Sequence, residues 1–251
     1  MKQLLLTLTL CFLALNIALA QNDNRFDKAN QLFQDENYSG AISLYEEILS
    51  SGKESGSLYF NLGNAYYKQG KLPQAILNYE RAKLMLPHDK DIAYNLKMAN
   101  SQITDKLETV GEFFLATWLS GFRNSTKSDT WALISIISFV LALGLLAVFM
   151  FSNTKSIKQA SFYIAIIFIA TCMLSLSFSY GQKNELTNRN FAIIFSPSVT
   201  IKSSPSTGGT ELFILHEGTK VKILETVGEW HRIQISDGND GWLPISTIEV
   251  I

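Results

Sequence analysis

Four asparagines in the first part of the chain stand at related positions: Asn30 and Asn64 are 34 positions apart, and so are Asn61 and Asn95. A carboxamide carries both donors and an acceptor, so a row of them can pair with the backbone of an extended peptide. The same side chains on a solvated helix face would meet only water, and the sequence leaves both readings open. Groups for covalent or acid–base chemistry are scarcer. His88, His216 and His231 are far apart, have no metal-ligand spacing and read as surface or turn residues. Cys11 and Cys172 each lie in an apolar run, and no C-x-x-C occurs. Nucleophile-elbow, zinc-protease and phosphate-loop motifs are absent from the sequence. Glu46, Glu47 and Glu80 fit solvated helix faces. The chain is expected to be a binding protein and not an enzyme, with no catalytic residue, no metal site and no cofactor.

The asparagines belong to an internal repeat. The 34-residue offset also aligns Ala29 with Gly63, Leu32 with Tyr66, Ala41 with Ala75, Tyr45 with Tyr79 and Ile48 with Ala82. Gly63 and Ala75 are small where two helices must approach closely, and Tyr66 and Tyr79 are large where the pair needs filling. Gly70-Lys71 supplies a turn, and Pro87 stops the second helix. These residues resemble the tetratricopeptide repeat, a helix–turn–helix unit of about 34 residues. Repeats are expected over 22–55 and 56–89, followed by a closing helix that carries Ile92, Tyr94, Leu96 and Ala99. Such arrays bury their cores by stacking and need about three units, so another element must cover the open end. Residues 110–123 place Phe113, Phe114, Leu115, Trp118, Leu119 and Phe122 at helical spacing. This amphipathic helix either caps the stack or rests at lipid headgroup level, and with it the repeat domain spans 22–123.

The resemblance implies a concave groove lined by the first helix of each unit. By motif position its surface is Asn30, Phe33, Gln34, Asn61, Asn64, Tyr67, Lys68, Asn95 and Met98. One form of this groove clamps a C-terminal carboxylate with two asparagines and three basic residues. Asn30 and Asn61 match the asparagines, but the basic positions are Phe26, Asp91 and Asn95 here. A neutral or mixed peptide or helix is therefore the expected ligand.

A net charge of −1 and the lack of a basic block exclude a nucleic-acid partner. Mean hydropathy is positive although 17% of the residues are charged, so membrane segments are expected. Residues 131–151 and 160–180 carry no charge, and each is long enough to cross a hydrocarbon core of about 30 Å. Met1-Lys2, an apolar run from Leu4 to Ala18 and the ending Ala18-Leu19-Ala20 read as a signal peptide over 1–20; an uncleaved anchor helix is the alternative. With the signal peptide outward, the basic loop 152–159 stays cytoplasmic and both soluble parts lie in the periplasm of a bacterial inner membrane.

From Phe191 the pattern changes to short alternating runs, with strands expected at 199–201, 211–215, 220–224, 230–235 and 241–243. Ser203-Ser204-Pro205-Ser206, Glu217-Gly218-Thr219, Gly228-Glu229-Trp230 and Gly241-Trp242-Leu243-Pro244 resemble a bacterial SH3 domain, giving a small barrel over 191–251. The tyrosines that line a polyproline groove in eukaryotic relatives are absent. Phe213, Trp230 and Trp242 are the candidate contacts, and the two tryptophans fit barrel core as well. The expected fold is thus a multidomain membrane protein: an all-α repeat stack, a two-helix transmembrane hairpin and a small all-β SH3-like barrel. That order, with passages such as Asp91–Leu96 and Phe195–Pro205, resembles the BatE-type family of the Bacteroidota aerotolerance operon. The resemblance implies a scaffold acting with other envelope proteins, among them von Willebrand A-domain membrane proteins of the same operon. A bacterial SH3 module also admits peptidoglycan as a ligand.

Overall fold

The computed structural model describes residues 24–106, 114–187 and 190–251. The expected signal segment lies outside the described residues, and so does the opening of the expected amphipathic helix. Among the described residues five helices come first: α1 (Arg25–Gln34), α2 (Tyr38–Ser50), α3 (Gly56–Lys68), α4 (Leu72–Met85) and α5 (Lys90–Asn100). Side-chain caps start three of them. Asn37 accepts from the Gly40 amide, Ser55 from the Leu58 amide, and Asp89 from the Asp91 and Ile92 amides. A Cβ on Gly63 would stand 2.7 Å from the Tyr79 ring, so glycine there lets α3 and α4 close on each other. The first core joins Ala29, Ala41, Ile42, Tyr45, Leu58 and Leu62.

The membrane-capable part is a helical hairpin. Helix α6 (Phe114–Arg123) leads into α7 (Ser128–Phe151) and α8 (Lys155–Thr187). Both α7 and α8 are long and apolar enough to cross a membrane. They meet through small side chains: Ser135, Ser138 and Ala142 on α7, and Ser161, Ala165 and Ser175 on α8, are buried. Most of their large apolar side chains stay outside, including Leu133, Ile136, Phe139, Ile167 and Leu176. The expected loop of 152–159 is shorter, since α8 begins at Lys155. Lys155 and Lys158 extend the helix beyond its apolar run, because a charge does not break helical hydrogen bonding, and Lys158 sits over the Phe149 ring.

Seven strands form one antiparallel sheet: β1 (Phe191–Ile194), β2 (Ser198–Lys202), β3 (Glu211–His216), β4 (Lys220–Val227), β5 (Trp230–Gln234), β6 (Asp240–Pro244) and β7 (Ile248–Val250). Their order is β3-β2-β6-β5-β4-β1-β7. Ala192, Val199, Leu215, Val221, Ile233, Leu243 and Ile248, one from each strand, share a single core, which requires the sheet to curl on itself. Two strands were not anticipated. In β1 the run Ala192-Ile193-Ile194 is fully buried and shows no alternation because both of its faces are covered; β7 spans only three residues.

The second face of β1 packs on the repeats. Ile193 and the terminal Ile251 join Ala75, Ile76, Leu77, Leu96 and Ala99 in one core. The barrel therefore covers the open end of the stack, one of the two roles expected of the amphipathic helix at 110–123. The described part of that helix, Phe114–Arg123, instead leads into the hairpin, and α5 stops at Asn100. Burying the two isoleucines stabilises docking by about 2 kcal/mol each. The Lys220–Glu80 ion pair, 2.8 Å long, has a half-open lysine and contributes less. The β3–β4 turn reaches into the stack. Gly218 has φ of +86°, and a Cβ on it would stand 2.6 Å from Ile103, so both backbone shape and space demand glycine. At the far edge, Arg81 donates to the Val250 carbonyl over 2.7 Å and covers an open strand edge.

Asp105 fastens the turn. Its carboxylate accepts from the His216 amide, pairs with His216 Nδ1 and accepts from the Thr219 hydroxyl, each at 2.7 Å. Burial pushes the Asp105 carboxyl up, but the His216 and Thr219 donors outweigh it and hold it below the usual range. A depressed carboxyl stabilises the fold above its unfolded value and loses that contribution as pH falls through its folded value. Asp105→Asn is thus expected to weaken docking by about 1–2 kcal/mol at neutral pH. Hydrogen exchange of the β1 amides should show the difference from wild type shrinking below about pH 4.

Candidate peptide-binding groove

The four asparagines do not point independently into solvent. Asn30 Oδ1 accepts from the Tyr45 hydroxyl at 2.7 Å and from Asn61 Nδ2 at 2.8 Å. Asn64 Oδ1 accepts from the Tyr79 hydroxyl at 2.8 Å and from Asn95 Nδ2 at 2.8 Å. All three members of the second triad are 34 positions beyond those of the first. Each triad links the first helices of adjacent units, α1 to α3 and α3 to α5, and ties them to the second helix beneath. The tyrosines are fully buried. Burial pushes the Tyr45 phenol to about 12 despite the Asn61 amide, which pulls it down. Tyr79 is raised by burial and by Tyr67, with Asn95 opposing. Both phenols therefore remain donors at any working pH.

The triads consume one side of each asparagine and leave the other. Asn30 Nδ2 and Asn61 Oδ1 make no hydrogen bond among the described residues, and neither do Asn64 Nδ2 and Asn95 Oδ1. Each pair thus offers an unused donor beside an unused acceptor, the complement of one peptide unit. Asn30, Phe33, Gln34, Asn61 and Asn64 line one cleft of about 360 Å³ together with Tyr45. Tyr67, Lys68, Asn95 and Met98 lie further along the same row of helices. Tyr67 accepts from Gln102 there, while Lys68 and Met98 are exposed. Sequence reasoning placed Tyr45 and Tyr79 as packing residues and missed their polar role. The shared 34-residue offset of Tyr45, Asn30 and Asn61 with Tyr79, Asn64 and Asn95 was the available signal.

The aromatic candidates of the barrel separate. Phe213 stands opposite Ile201 and packs against the core. Trp230 and Trp242 are half-buried and lie outside that core, which is aliphatic, so the core reading of these tryptophans is corrected. Alternation explains it: Ile233 and Leu243 take the inner face, leaving Trp230, Arg232 and Trp242 on the outer one. Arg232 stands opposite Trp242 and pairs with Asp240 at 2.7 Å.

Because Asn64 Oδ1 receives two donors, Asn64→Ala should destabilise the repeats by about 1–3 kcal/mol, leaving a buried phenol unpaired. Adding Tyr79→Phe should recover part of that loss. Chemical denaturation of the detergent-solubilised chain checks both, and failure of the second change to restore stability would contradict the triad.

Comparison with known families agrees with the geometry in two places. Residues 57–89 match the tetratricopeptide repeat family, covering α3 and α4. Residues 197–249 match the bacterial SH3 domain family, covering β2 to β7. A stretch of 110 residues is 29% identical to part of Sperm-associated antigen 1 of Rattus norvegicus, covering 41% of this chain and 12% of that relative. The chain thus spans a small fraction of the relative's length. The matched families are binding modules, and the structure joins one of each to a membrane-capable hairpin.

Proposed function

We propose that the chain is a membrane-anchored scaffold of the bacterial envelope, holding partner proteins through the repeat groove and the SH3-like barrel. The observation that carries this reading is the pair of asparagine–tyrosine triads. They fix unused amide donors and acceptors in a row before any ligand arrives, which lowers the ordering cost of holding an extended peptide. The hairpin anchors the groove, and docking of the barrel on the repeats joins the two candidate surfaces in one body. The Met1–Ala20 pattern supports a periplasmic position for that body, with the short α7–α8 connection in the cytoplasm. The domain order supports a BatE-type role in a complex of the aerotolerance operon, with von Willebrand A-domain membrane proteins as partners. A second reading is favoured by the outer face that carries Trp230 and Trp242: the barrel grips peptidoglycan stem peptides and the repeats recruit a protein to that place. Co-sedimentation of the full chain with purified sacculi, and its loss in Trp242→Ala, would favour the second reading over the first.

A photoreactive residue at Gln34, inside the cleft, is expected to capture a partner in intact cells, whereas one at Glu47, which does not line the cleft, is not. Lys68→Glu should reduce the Gln34 adduct at least several-fold. Equal capture at both positions would refute the groove. For orientation, Ser51→Cys should react with a membrane-impermeant maleimide in spheroplasts, and Asn153→Cys only after lysis.

A further inference from the structure

Helix α6 carries large apolar side chains at helical spacing, and several of them are exposed. Phe114, Trp118, Leu119 and Phe122 are 69%, 67%, 47% and 47% exposed. A contiguous apolar stripe of this kind marks an interaction surface. Its surroundings identify what covers it. Phe122 stacks on Trp118 with ring centres 6.1 Å apart, and meets Trp131 at 5.7 Å and Phe178 at 5.9 Å. Trp131 opens the uncharged run of α7 and Phe178 stands near the end of that of α8. The stripe is therefore joined through Phe122 to Trp131 and Phe178, which are themselves buried at the ends of the two apolar runs. The junction is also fixed in place. The Arg123 carbonyl at the end of α6 accepts from Trp131 Nε1 at 2.7 Å and from Gln182 Nε2 at 2.6 Å. Gln182 donates as well to the Thr126 carbonyl at 2.8 Å. One side chain of α8 thus holds the whole α6–α7 connection.

We infer that α6 lies along the bilayer surface at headgroup depth and that lipid covers its apolar face. This rests on the reading that the hairpin crosses the membrane. Amphipathic helices with tryptophan and phenylalanine on the apolar side settle at that depth, and Lys127 and Lys183 flank the same level with stems long enough to reach the headgroups. A cleft of about 870 Å³ separates this collar from the α4–α5 corner, whose Leu84 and Met85 are exposed at its edge. Seating α6 on the membrane turns that corner toward the same surface, so the repeats are held close above the bilayer.

Tryptophan quenching tests the inference. The full chain is reconstituted in vesicles of phosphatidylethanolamine and phosphatidylglycerol, with a fraction of the lipid brominated at acyl carbons 6 and 7. Subtracting the signal of Trp118→Phe from wild type isolates Trp118, and subtracting wild type from Phe139→Trp isolates the added tryptophan. Trp118 is expected to be quenched by bromolipid at least about twofold more than the remaining barrel tryptophans, and to resist aqueous iodide. Quenching of Trp118 by iodide instead would overturn the inference, placing α6 in water. Protection from both quenchers would overturn it too, because protein, either a second copy or a partner, would then cover the face. A tryptophan at the outward-facing position 139 (Phe139→Trp) reports the hairpin, because Trp131 is itself buried. If it is quenched by bromolipid while Trp118 is not, the spanning hairpin stands and α6 fails alone; if neither is quenched, the spanning reading fails as well.

Discussion

Two helical repeats and a closing helix leave an apolar end that water would otherwise meet, and the packing of Ile193 and Ile251 against Ile76, Leu96 and Ala99 closes it. Much of the arrangement depends on that contact. Strand β1 gives one face to the barrel core through Ala192 and Ile194 and the other to the repeats through Ile193. The polar contacts around it, Asp105 on the β3–β4 turn and Arg81 on the β7 edge, set direction more than strength. Hydrogen bonds and exposed ion pairs exchange for similar ones with water, whereas buried isoleucines do not. The repeat and the barrel are accordingly one body with two cores that meet.

Within the repeats, structure and the proposed recognition draw on the same residues. The oxygen of Asn30 and that of Asn64 hold the helices in register, while their NH₂ groups make no hydrogen bond among the described residues. A row of amides anchored this way cannot reorient to suit each ligand, so selectivity falls to the less constrained positions around it, such as Gln34, Lys68 and Met98. This division also explains how the groove can lack the three basic clamp residues without losing its shape. The asparagines order the stack whether or not a carboxylate is bound.

Much of this was legible in the sequence. The 34-residue offset, the two uncharged runs and the Gly-Trp-Leu-Pro passage located the repeat helices, the hairpin and the barrel. Local pattern failed where the cause was distant. β1 reads as an apolar run without alternation because a second domain covers its outer face. Trp230 and Trp242 read as core residues because large aromatics usually are, but smaller aliphatic residues fill this narrow interior. The groove positions followed from the repeat register. The triads that build the groove required knowing that Tyr45 and Tyr79 reach across to the first helices. Gly218 entered only as part of the barrel's Glu-Gly-Thr passage, and the approach of Ile103 shows what constrains it.

The place of the hairpin in the chain adds a consequence for biogenesis. The repeats precede α7 and α8, and the barrel follows them, yet Glu80 meets Lys220 and Arg81 meets Val250 across the whole insertion. A ribosome finishes the repeats while their apolar end still lacks its lid, and the lid emerges only after the hairpin has been made. Contacts so distant along the chain form late. Assembly of the finished body is therefore coupled to delivery of the hairpin, and a copy whose hairpin stalls would keep an uncovered surface for the cell's quality-control machinery to find.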